Sequence, residues 1–294
     1  MRYHVLDVFT DRALSGNPLA VVEDADALDG DRMQAIAAEF NLSETVFLLR
    51  PRRDDAVARL RIFTPQRELP FAGHPTVGAA CLLGLLDRLP QGEDVSTLLE
   101  EEVGPIPIRV RCLPGQAPYA QLTTAVKPSF DPQPFKPARL AEILGLSLVD
   151  IETREDAPSG ASCGVPFNLV PLKSLDALAR ARLQLHRYRA GSWADSFYLY
   201  CRDGQGGAYR ARMFAPDMGI GEDPATGSAA AAFAGYLAER SGLPSGTLNW
   251  VIHQGVEMGR PSRIDIEAER LDGRTTAIRV GGHSVPVASG TLTL

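Results

Sequence analysis

The sequence predicts a two-domain globular protein in which strands and helices are mixed along the chain. Its 294 residues are about twice the length of an average domain. Hydrophobic residues make up 45% of the chain and charged residues 22%, as in ordinary globular proteins. Two similar motifs stand about 150 residues apart, R-I-F-T-P at 61–65 and R-M-F-A-P at 212–216. Such an internal repeat predicts that the two halves share an architecture.

Charge and composition exclude several functional classes. Acidic residues outnumber basic ones by 36 to 30, and no basic block is interleaved with aromatics, so we expect no nucleic-acid partner and favour a small molecule. The apolar runs at 69–86 and 225–238 are interrupted and fall short of the ~20 residues that span a bilayer, which predicts buried helices and no membrane association. The start of the chain carries no secretory pattern, so we expect a cytoplasmic protein.

The four cysteines lie far apart in the sequence and form no C-x-x-C pair. This spacing favours reduced, buried thiols over a disulfide framework or a zinc site. They are Cys81, Cys112, Cys163 and Cys201.

The first half alternates between strands and one amphipathic helix. Val- and Leu-rich stretches predict strands, and they lie at 3–10, 18–24, 44–50 and 56–64. Between the second and third strands, apolar residues recur with helical spacing at Met33, Ile36, Ala37 and Phe40. Asp29 or Asp31 is available to cap the N-terminus of this helix.

A proline-rich segment at 123–137 predicts a boundary between domains. Four prolines within ten positions disfavour any regular element there, so we interpret the segment as a linker. Beyond it the pattern predicts a short helix that ends at Gly145 and a strand at 166–172. Two further strands, 196–202 and 208–214, flank a glycine-rich hairpin turn at 203–207.

Each repeat motif is followed by a titratable residue, a proline and a run of small residues. These pairs are His74-Pro75 and Asp223-Pro224. Proline is tolerated in the first helical turn, so both prolines predict the first position of a buried helix. Helix N-termini carry free N–H donors and bind anions. We therefore expect the two helix ends to form a carboxylate-binding, proton-transferring pocket.

Purely structural roles for these residues stay open at this point. His74 could cap a buried helix, and Asp223 followed by proline is a common N-cap. Glu44 precedes an apolar strand, where partial loss of water would favour its protonated form and suit it to acid/base work. It could equally be a loop residue at the exit of the preceding helix.

The chain resembles the phenazine-biosynthesis PhzF-like isomerases over nearly its whole length. The matching motifs are Y-x-V-L-D-V-F-T from residue 3, S-G-N-P-L-A-V-V from 15, M-Q-x-I-A-x-E-F-N-L-S-E-T-V-F at 33–47, R-I-F-T-P-x-x-E-L-P-F-A-G-H-P-T-V-G at 61–78, R-M-F-A-P-D-M-G-I-G-E-D-P-A-T-G-S-A at 212–229, and H-Q-G-V-E-M-G-R-P-S at 253–262. The resemblance implies an α+β, diaminopimelate epimerase-like fold of two pseudo-symmetric lobes. Each lobe would be a mostly antiparallel sheet wrapped around a central helix, with the active site in the cleft between the lobes, and the protein a homodimer.

We expect the N-terminal lobe to span 1–124, completed by a C-terminal strand at 284–294, and the C-terminal lobe to span 125–283. The resemblance also implies roles for individual residues. Glu44 would be the catalytic acid/base, assisted by His74 and Asp223. The positions that would hold the polar groups of the substrate are Ser43, Gly73, Gly227 and Ser228. No cysteine stands at either inner-helix entry, which argues against a two-thiol racemase.

The resemblance implies isomerisation of a small carboxylate, similar to that of trans-2,3-dihydro-3-hydroxyanthranilate, by general acid/base catalysis without a cofactor. The sequence has no dinucleotide, phosphate-loop or metal-ligand motif. An epimerase or racemase of an amino or hydroxy acid, or a non-catalytic carboxylate-binding protein, stays open. The G-x-S-x-G at 160–164 spells a hydrolase motif, but a strand follows it where a nucleophile elbow requires a helix.

Overall fold

The computed structural model describes residues 1–90, 93–131, 135–188, 194–204, 207–216 and 220–293. The chain divides into two compact units, one formed by 1–125 together with 279–294 and the other by 126–278. None of the helices in these described ranges is long and apolar enough to cross a membrane.

The first unit contains eight longer strands, one two-residue strand and two helices. In chain order they are β1 (Arg2–Val8), β2 (Asn17–Val22), α1 (Gly30–Phe40), β3 (Glu44–Leu49), β4 (Ala56–Phe63), β5 (Glu68–Leu69), α2 (Gly73–Leu85), β6 (Asp94–Glu101), β7 (Gly104–Arg111), β8 (Tyr119–Thr123) and the end of the last strand, Arg274–Thr291.

These strands close into a barrel. Pairing runs in the order β1, β2, β3, β4, β6, β7, β8 and the last strand, which returns to pair with β1. The β2–β3 and β4–β6 pairs are parallel and the other ladders are antiparallel. Closure leaves no free sheet edge along this ring of strands, so their backbone hydrogen bonds are made within the unit.

Helix α2 packs inside this ring because it is apolar on every side. It contacts β1, β2, β3, β7 and β8, and eleven of its thirteen residues are buried. A helix without a polar face has no side to present to water and is buried whole. Small residues allow the close fit, since a Cβ on Gly78 would lie 2.5 Å from Leu19 Cδ2 and 2.7 Å from Val8 Cγ2.

Helix α1 packs against the outside of the barrel. Met33, Ile36 and Ala37 lie on its buried face, and Asp29 caps it by accepting a hydrogen bond from the Arg32 N–H at 2.8 Å. Both features of this helix were predicted. On β4, the sequence alternates Ala58, Leu60 and Ile62 with Arg59, Arg61 and Phe63, which predicts one buried face, and the first three are buried. Phe63, on the other face of this alternation, is buried as well, because it packs under α1 in contact with Phe47.

The described residues of the second unit form a seven-stranded ladder, a short additional strand and three α-helices. They are β9 (Ser129–Asp131), α3 (Pro137–Leu144), β10 (Ser159–Ser162), β11 (Pro166–Pro171), α4 (Leu175–Arg180), β12 (Phe197–Arg202), β13 (Tyr209–Ala215), β14 (Ile220–Asp223), α5 (Gly227–Arg240), β15 (Gly246–Gln254) and β16 (Ser262–Leu271), after which β17 (Arg274–Thr291) leads back into the first unit.

Pairing in this unit runs β9, β10, β11, β12, β13, β15 and β16, with β14 on β13. Helix α5 contacts β10, β11, β15 and β16, and ten of its fourteen residues are buried. Helix α3, which ends at Gly145 as predicted, shares an apolar cluster with α4 and β12. The predicted hairpin strands are the antiparallel pair β12 and β13, while 205–206 of their turn lie outside the described residues.

Two details of the sequence prediction need correction, and a third is confirmed. The proline-rich 123–137 segment includes a strand, β9, because proline at neighbouring positions leaves Ser129–Asp131 free to pair with β10; residues 132–134 lie outside the described residues. Pro75 is the third residue of its helix and Pro224 precedes its helix by three residues, so neither stands at the first position. The G-x-S-x-G segment lies in β10 and the turn before β11, as its flanking residues predicted.

We expect Gly78→Ala to destabilise the protein by about 1–2 kcal/mol in chemical denaturation. Helix propensity alone favours alanine by about 1 kcal/mol, but overpacking against Leu19 and Val8 costs about 1–3 kcal/mol. Gly221→Ala is the control, since no described atom lies within 4 Å of its added Cβ. An increase in stability of Gly78→Ala would contradict the close packing of α2.

Candidate functional site

Glu44 and His74 meet at one end of the first unit's barrel. Glu44 is the first residue of β3, which follows α1 after the left-handed turn at Asn41, and it pairs with Leu19 of β2. His74 is the second residue of α2. The His74 Nδ1 and Glu44 Oε2 atoms lie 3.5 Å apart, and their side chains are only 5% and 13% exposed. The structure thus brings together two of the three residues expected to be catalytic.

Burial keeps His74 neutral. It lowers the pKa of the imidazole to about 3, and the backbone carbonyl of Pro18 offsets only part of that shift. A neutral imidazole has one N–H donor and one lone-pair acceptor, so His74 is suited to orient or polarise a partner.

The start of β2 places the Pro18 carbonyl beside His74, and the loop before β2 sets its position. Gly16 has φ of 65° there, and a Cβ would lie 2.3 Å from the Val8 carbonyl oxygen, so glycine is required. The buried Asp7 carboxylate accepts a 2.6 Å hydrogen bond from the Leu14 N–H. Asp7 is a supporting residue that the sequence analysis missed, although it stands in the D-V-F-T motif.

The N-terminus of α2 has no capping side chain. Its N-cap residue is Ala72, whose φ is −151°, and the helix begins at Gly73. Helix N-termini carry partial positive charge and N–H groups outside the intrahelical pattern. Gly73 adds no side chain that would cover them, and Ser43 directly precedes Glu44 on the neighbouring element. This end of α2 can therefore receive an anionic group.

Asp223 stands at the corresponding end of α5 in the second unit. It is the last residue of β14, buried at 5% exposure, and its Oδ2 accepts a 2.5 Å hydrogen bond from the hydroxyl of Thr226, the N-cap residue. The hydroxyl is thus engaged with Asp223 and does not cap the helix. Gly227 and Ser228 are the first two residues of α5.

The side chain of Gln254 forms hydrogen bonds that hold the turn from Asp223 to Thr226. Its side-chain amide donates to the Asp223 carbonyl at 2.8 Å and lies 3.0 Å from Thr226 Oγ1, while its Oε1 accepts from the Thr226 N–H at 3.2 Å. Gln254 lies in the H-Q-G motif at 253–255, for which the sequence alone predicts no role. Gln254 lies about thirty residues from its partners in the sequence, so no local sequence pattern indicates the contact.

The next residues of that motif hold the other side of the same turn. Gly255 has φ of 74°, and a Cβ on it would lie 2.5 Å from the Pro224 carbonyl oxygen. The Ser262 hydroxyl donates to that same oxygen at 3.0 Å. The position of Asp223 therefore depends on contacts from β15 and β16 as well as on its own strand.

The two repeat motifs share a second feature, a two-pronged arginine–glutamate pair. Arg61 binds Glu68 through two hydrogen bonds of 2.6 Å, and Arg212 binds Glu222 at 2.7 and 2.8 Å. In each unit the pair joins the repeat strand to the segment that leads into the inner helix. Geometry of this kind gives orientation as well as attraction.

The buried cysteines are held in their protonated form. Burial raises the pKa of Cys81 and of Cys163 to about 12 and that of Cys201 to about 11, so these thiols stay protonated. Cys81 lies eight residues beyond Gly73, within α2. The described residues include no group of His, Cys, Asp and Glu that could hold a metal ion.

Known proteins resemble the chain over its full length. The family model for phenazine biosynthesis-like proteins, PhzC-PhzF, matches residues 6–290. An uncharacterized isomerase of Mesorhizobium japonicum is 43% identical over 99% of this chain and 98% of its own. The trans-2,3-dihydro-3-hydroxyanthranilate isomerase of Pseudomonas aeruginosa is 39% identical over 98% of each chain.

Solved structures share the fold. A phenazine biosynthesis protein of the PhzF family from Bacillus anthracis matches with a TM-score of 0.86 and 25% identity, covering 100% of this chain and 99% of that one. A probable proline racemase of Agrobacterium radiobacter matches with a TM-score of 0.68 and 12% identity, covering 100% and 93%, which shows the fold alone. The expected epimerase-like, sheet-rich fold is confirmed at this level, while the pseudo-symmetry of two lobes stays a prediction.

We expect the His74 imidazole to stay neutral down to pH 5 in the folded protein. Its folded pKa lies below the ordinary value near 6.5, so protonation stabilises the unfolded chain first, and stability falls as pH drops from about 6.5 toward 3. NMR of ¹⁵N-labelled histidine measures the ring state directly. His186, which is exposed on the surface, is the internal control, and titration of His74 near pH 6.5 would contradict its burial.

We expect Gln254→Ala to lower the free energy of unfolding by about 2–4 kcal/mol. The change leaves the buried Asp223 carbonyl and Thr226 N–H without their partner, and each such group costs about 1–3 kcal/mol. Gln66→Ala at an exposed position should change stability by no more than about 0.5 kcal/mol. Equal effects of the two substitutions in urea denaturation would show that Gln254 does not hold the turn.

Proposed function

Because the chain belongs to the PhzC-PhzF family of phenazine biosynthesis-like proteins, it is an isomerase, and we propose that it shifts a proton within a small carboxylate-bearing molecule. The substrate class follows that named for its Pseudomonas relative, trans-2,3-dihydro-3-hydroxyanthranilate. The observation that carries the mechanism is the contact between the buried Glu44 and His74 side chains at the uncapped end of α2.

In this mechanism Glu44 is the acid/base. Its carboxylate takes a proton from one carbon of the substrate and returns it to another carbon along the conjugated system. The product has the same composition as the substrate, and no net oxidation or reduction occurs. Such a step requires no redox cofactor, and positioned acid/base catalysis supplies the rate.

His74 orients Glu44 and the substrate without taking the proton itself. The pKa of its imidazole lies far below neutral because the ring is buried, so at neutral pH it acts as an uncharged hydrogen-bonding group. A protonated imidazole would form an ion pair with the Glu44 carboxylate and oppose its protonation. A neutral imidazole does not have this effect. This division of roles leaves Glu44 as the group that cycles between charged and uncharged forms.

The helix ends bind the substrate carboxylate and the negative charge that develops during proton removal. Free N–H groups at a helix N-terminus stabilise an enolate-like state because they are already oriented toward it. We assign this part to the backbone at Gly73, with Ser43 beside it, and to Gly227 and Ser228 at the start of α5. Small side chains at these positions let a ligand approach the backbone.

Asp223 is proposed to act on the same substrate from the second unit. The repeat motifs, the arginine–glutamate pair in each unit and the small-residue helix that follows both motifs support two pseudo-symmetric lobes. On this proposal residues of 1–124 and of 125–283 both contribute to catalysis. A homodimer, implied by the resemblance, and a cytoplasmic location, expected from the start of the sequence, remain predictions.

We expect Glu44→Gln to reduce turnover about 10²- to 10⁴-fold with little loss of stability, because the amide cannot accept or return a proton. The assay follows trans-2,3-dihydro-3-hydroxyanthranilate in deuterated water, and mass spectrometry counts deuterium in the product. Asp223→Asn is expected to reduce the same exchange. Glu39→Gln, which changes an exposed carboxylate on α1, is the matched control and should retain full activity.

Deuterium exchange at the parental rate in both Glu44→Gln and Asp223→Asn would refute the proposed site. Binding of the substrate by the parent protein with no deuterium in the recovered molecule would refute the proposed reaction. Chiral analysis of the product separates a double-bond shift from an inversion at one carbon.

A further inference from the structure

Glu101 is a buried carboxyl group next to the first turn of α2 that the proposed mechanism does not use. It is the last residue of β6 and is 5% exposed. Its Oε1 atom lies 2.6 Å from the hydroxyl oxygen of Thr76, which stands two residues after His74 on α2. The contact joins the barrel wall to the helix turn that carries His74.

The hydrogen atoms in this contact can be counted. The same Thr76 hydroxyl oxygen lies 2.7 Å from the Ala72 carbonyl oxygen, which can only accept. Thr76 has one hydroxyl hydrogen, so it can donate to Ala72 or to Glu101 but not to both. Both short contacts are satisfied together only if Thr76 donates to Ala72 and Glu101 donates its own proton to Thr76.

The second carboxyl oxygen supports a protonated Glu101. Oε2 is buried and makes no hydrogen bond to any described residue. Burying an ionised carboxylate with one oxygen that accepts no hydrogen bond costs much free energy. Burying the carbonyl oxygen of a neutral carboxylic acid in the same way costs much less. Burial accordingly raises the pKa of Glu101 to about 8, with the Thr76 contact opposing the shift.

Several charged side chains lie near Glu101, but none of those described forms an ion pair with it. A cavity of about 460 Å³ lies beside Glu101. Arginine and glutamate side chains from β4, from β5 and from the end of β6 line it, together with Arg52. Arg61 is bound to Glu68, and Glu100 accepts from the Arg52 N–H. No ion pair joins Glu101 to another side chain among the described residues, and Arg59 and Glu102 complete the charged lining.

We infer that protonated Glu101 is a positioning residue that holds the first turn of α2, and with it His74, in the arrangement the active site needs. Its deprotonation draws the Thr76 hydroxyl away from the Ala72 carbonyl. It also places a negative charge beside the helix end proposed to receive the substrate carboxylate, and like charges repel strongly in a dehydrated site. The catalytic consequence rests on the proposed function, but the structural coupling of Glu101 to His74 does not.

The coupling is tested by NMR of ¹⁵N-labelled histidine between pH 6 and 9.5, with no substrate present. His74 does not titrate itself in this range because the pKa of its ring is near 3. We expect its ring signals to shift with a midpoint near pH 8 in the parent protein. Glu101→Gln should abolish that shift, since the amide can still donate to Thr76 but cannot ionise. Glu102→Gln, at the exposed neighbouring position, should leave it unchanged.

Thr76→Val provides a second variant of nearly equal shape that breaks the contact without changing Glu101. It should also abolish the response of the His74 signals near pH 8. His74 signals that stay constant from pH 6 to 9.5 in the parent, or that shift equally in Glu101→Gln, would overturn the inference.

The catalytic arm measures kcat/KM with trans-2,3-dihydro-3-hydroxyanthranilate as the probe. If only the protonated form is active, kcat/KM falls about tenfold on ionisation between pH 7 and 9 in the parent and stays flat in Glu101→Gln. A parent profile that Glu101→Gln leaves unchanged would overturn the positioning role while the proposed reaction stands. No turnover of the probe by any form, with the His74 response intact, would instead refute the proposed function alone.

Discussion

The enclosure of an apolar helix within a ring of strands governs the chemistry at the start of that helix. Helix α2 has no polar face, so the barrel surrounds it, and its first turn lies where water is largely excluded. The same burial that stabilises the core therefore sets the protonation of His74 and Glu101 at this end. His74 is kept uncharged and Glu101 is kept protonated for one shared reason.

Dehydration has the same effect on two of the cysteines. A cysteine reacts as its thiolate, and a positive environment is what lowers the pKa of a thiol. Here Cys81 and Cys163 are packed among apolar atoms, with Sγ atoms directed at the backbone carbonyls of Pro118 and Ala231, and burial raises the pKa of both thiols. These two sulfur atoms therefore stay protonated in the core, while His74 and Asp223 stand near the starts of α2 and α5.

Local patterns in the sequence were sufficient for much of the fold. The strands β1 to β4, the apolar face of α1, its Asp29 cap and the end of α3 at Gly145 depend on residues within a few positions of one another, and all were predicted. Short β9 was missed because its pairing with β10 is made by residues thirty positions away. The closure of the barrel and the burial of Phe63 are equally non-local.

The same distinction applies to the site. Glu44, His74 and Asp223 stand in motifs that can be read from the sequence, and the contact between the first two is present in the structure. Gln254 was not identified, because its bonds to Asp223 and Thr226 join segments about thirty residues apart in the chain. The hydroxyl of Thr226 bonds to Asp223 only three residues away, but the sequence analysis gave Thr226 no role. Glu101 was hidden in a run of three glutamates at 100–102 that looks solvent-exposed in sequence, and only the barrel shows which of the three is enclosed.

The order in which the barrel strands occur along the chain has a consequence for biosynthesis. The strand that lies between β8 and β1 is β17, so the ring around α2 includes residues made near the end of translation. A ribosome that has finished residue 125 has not yet supplied that strand. The first unit must therefore wait, with α2 incompletely covered, until the whole second unit has been synthesised, whereas the described ladder β9 to β16 of the second unit is complete before β17 emerges.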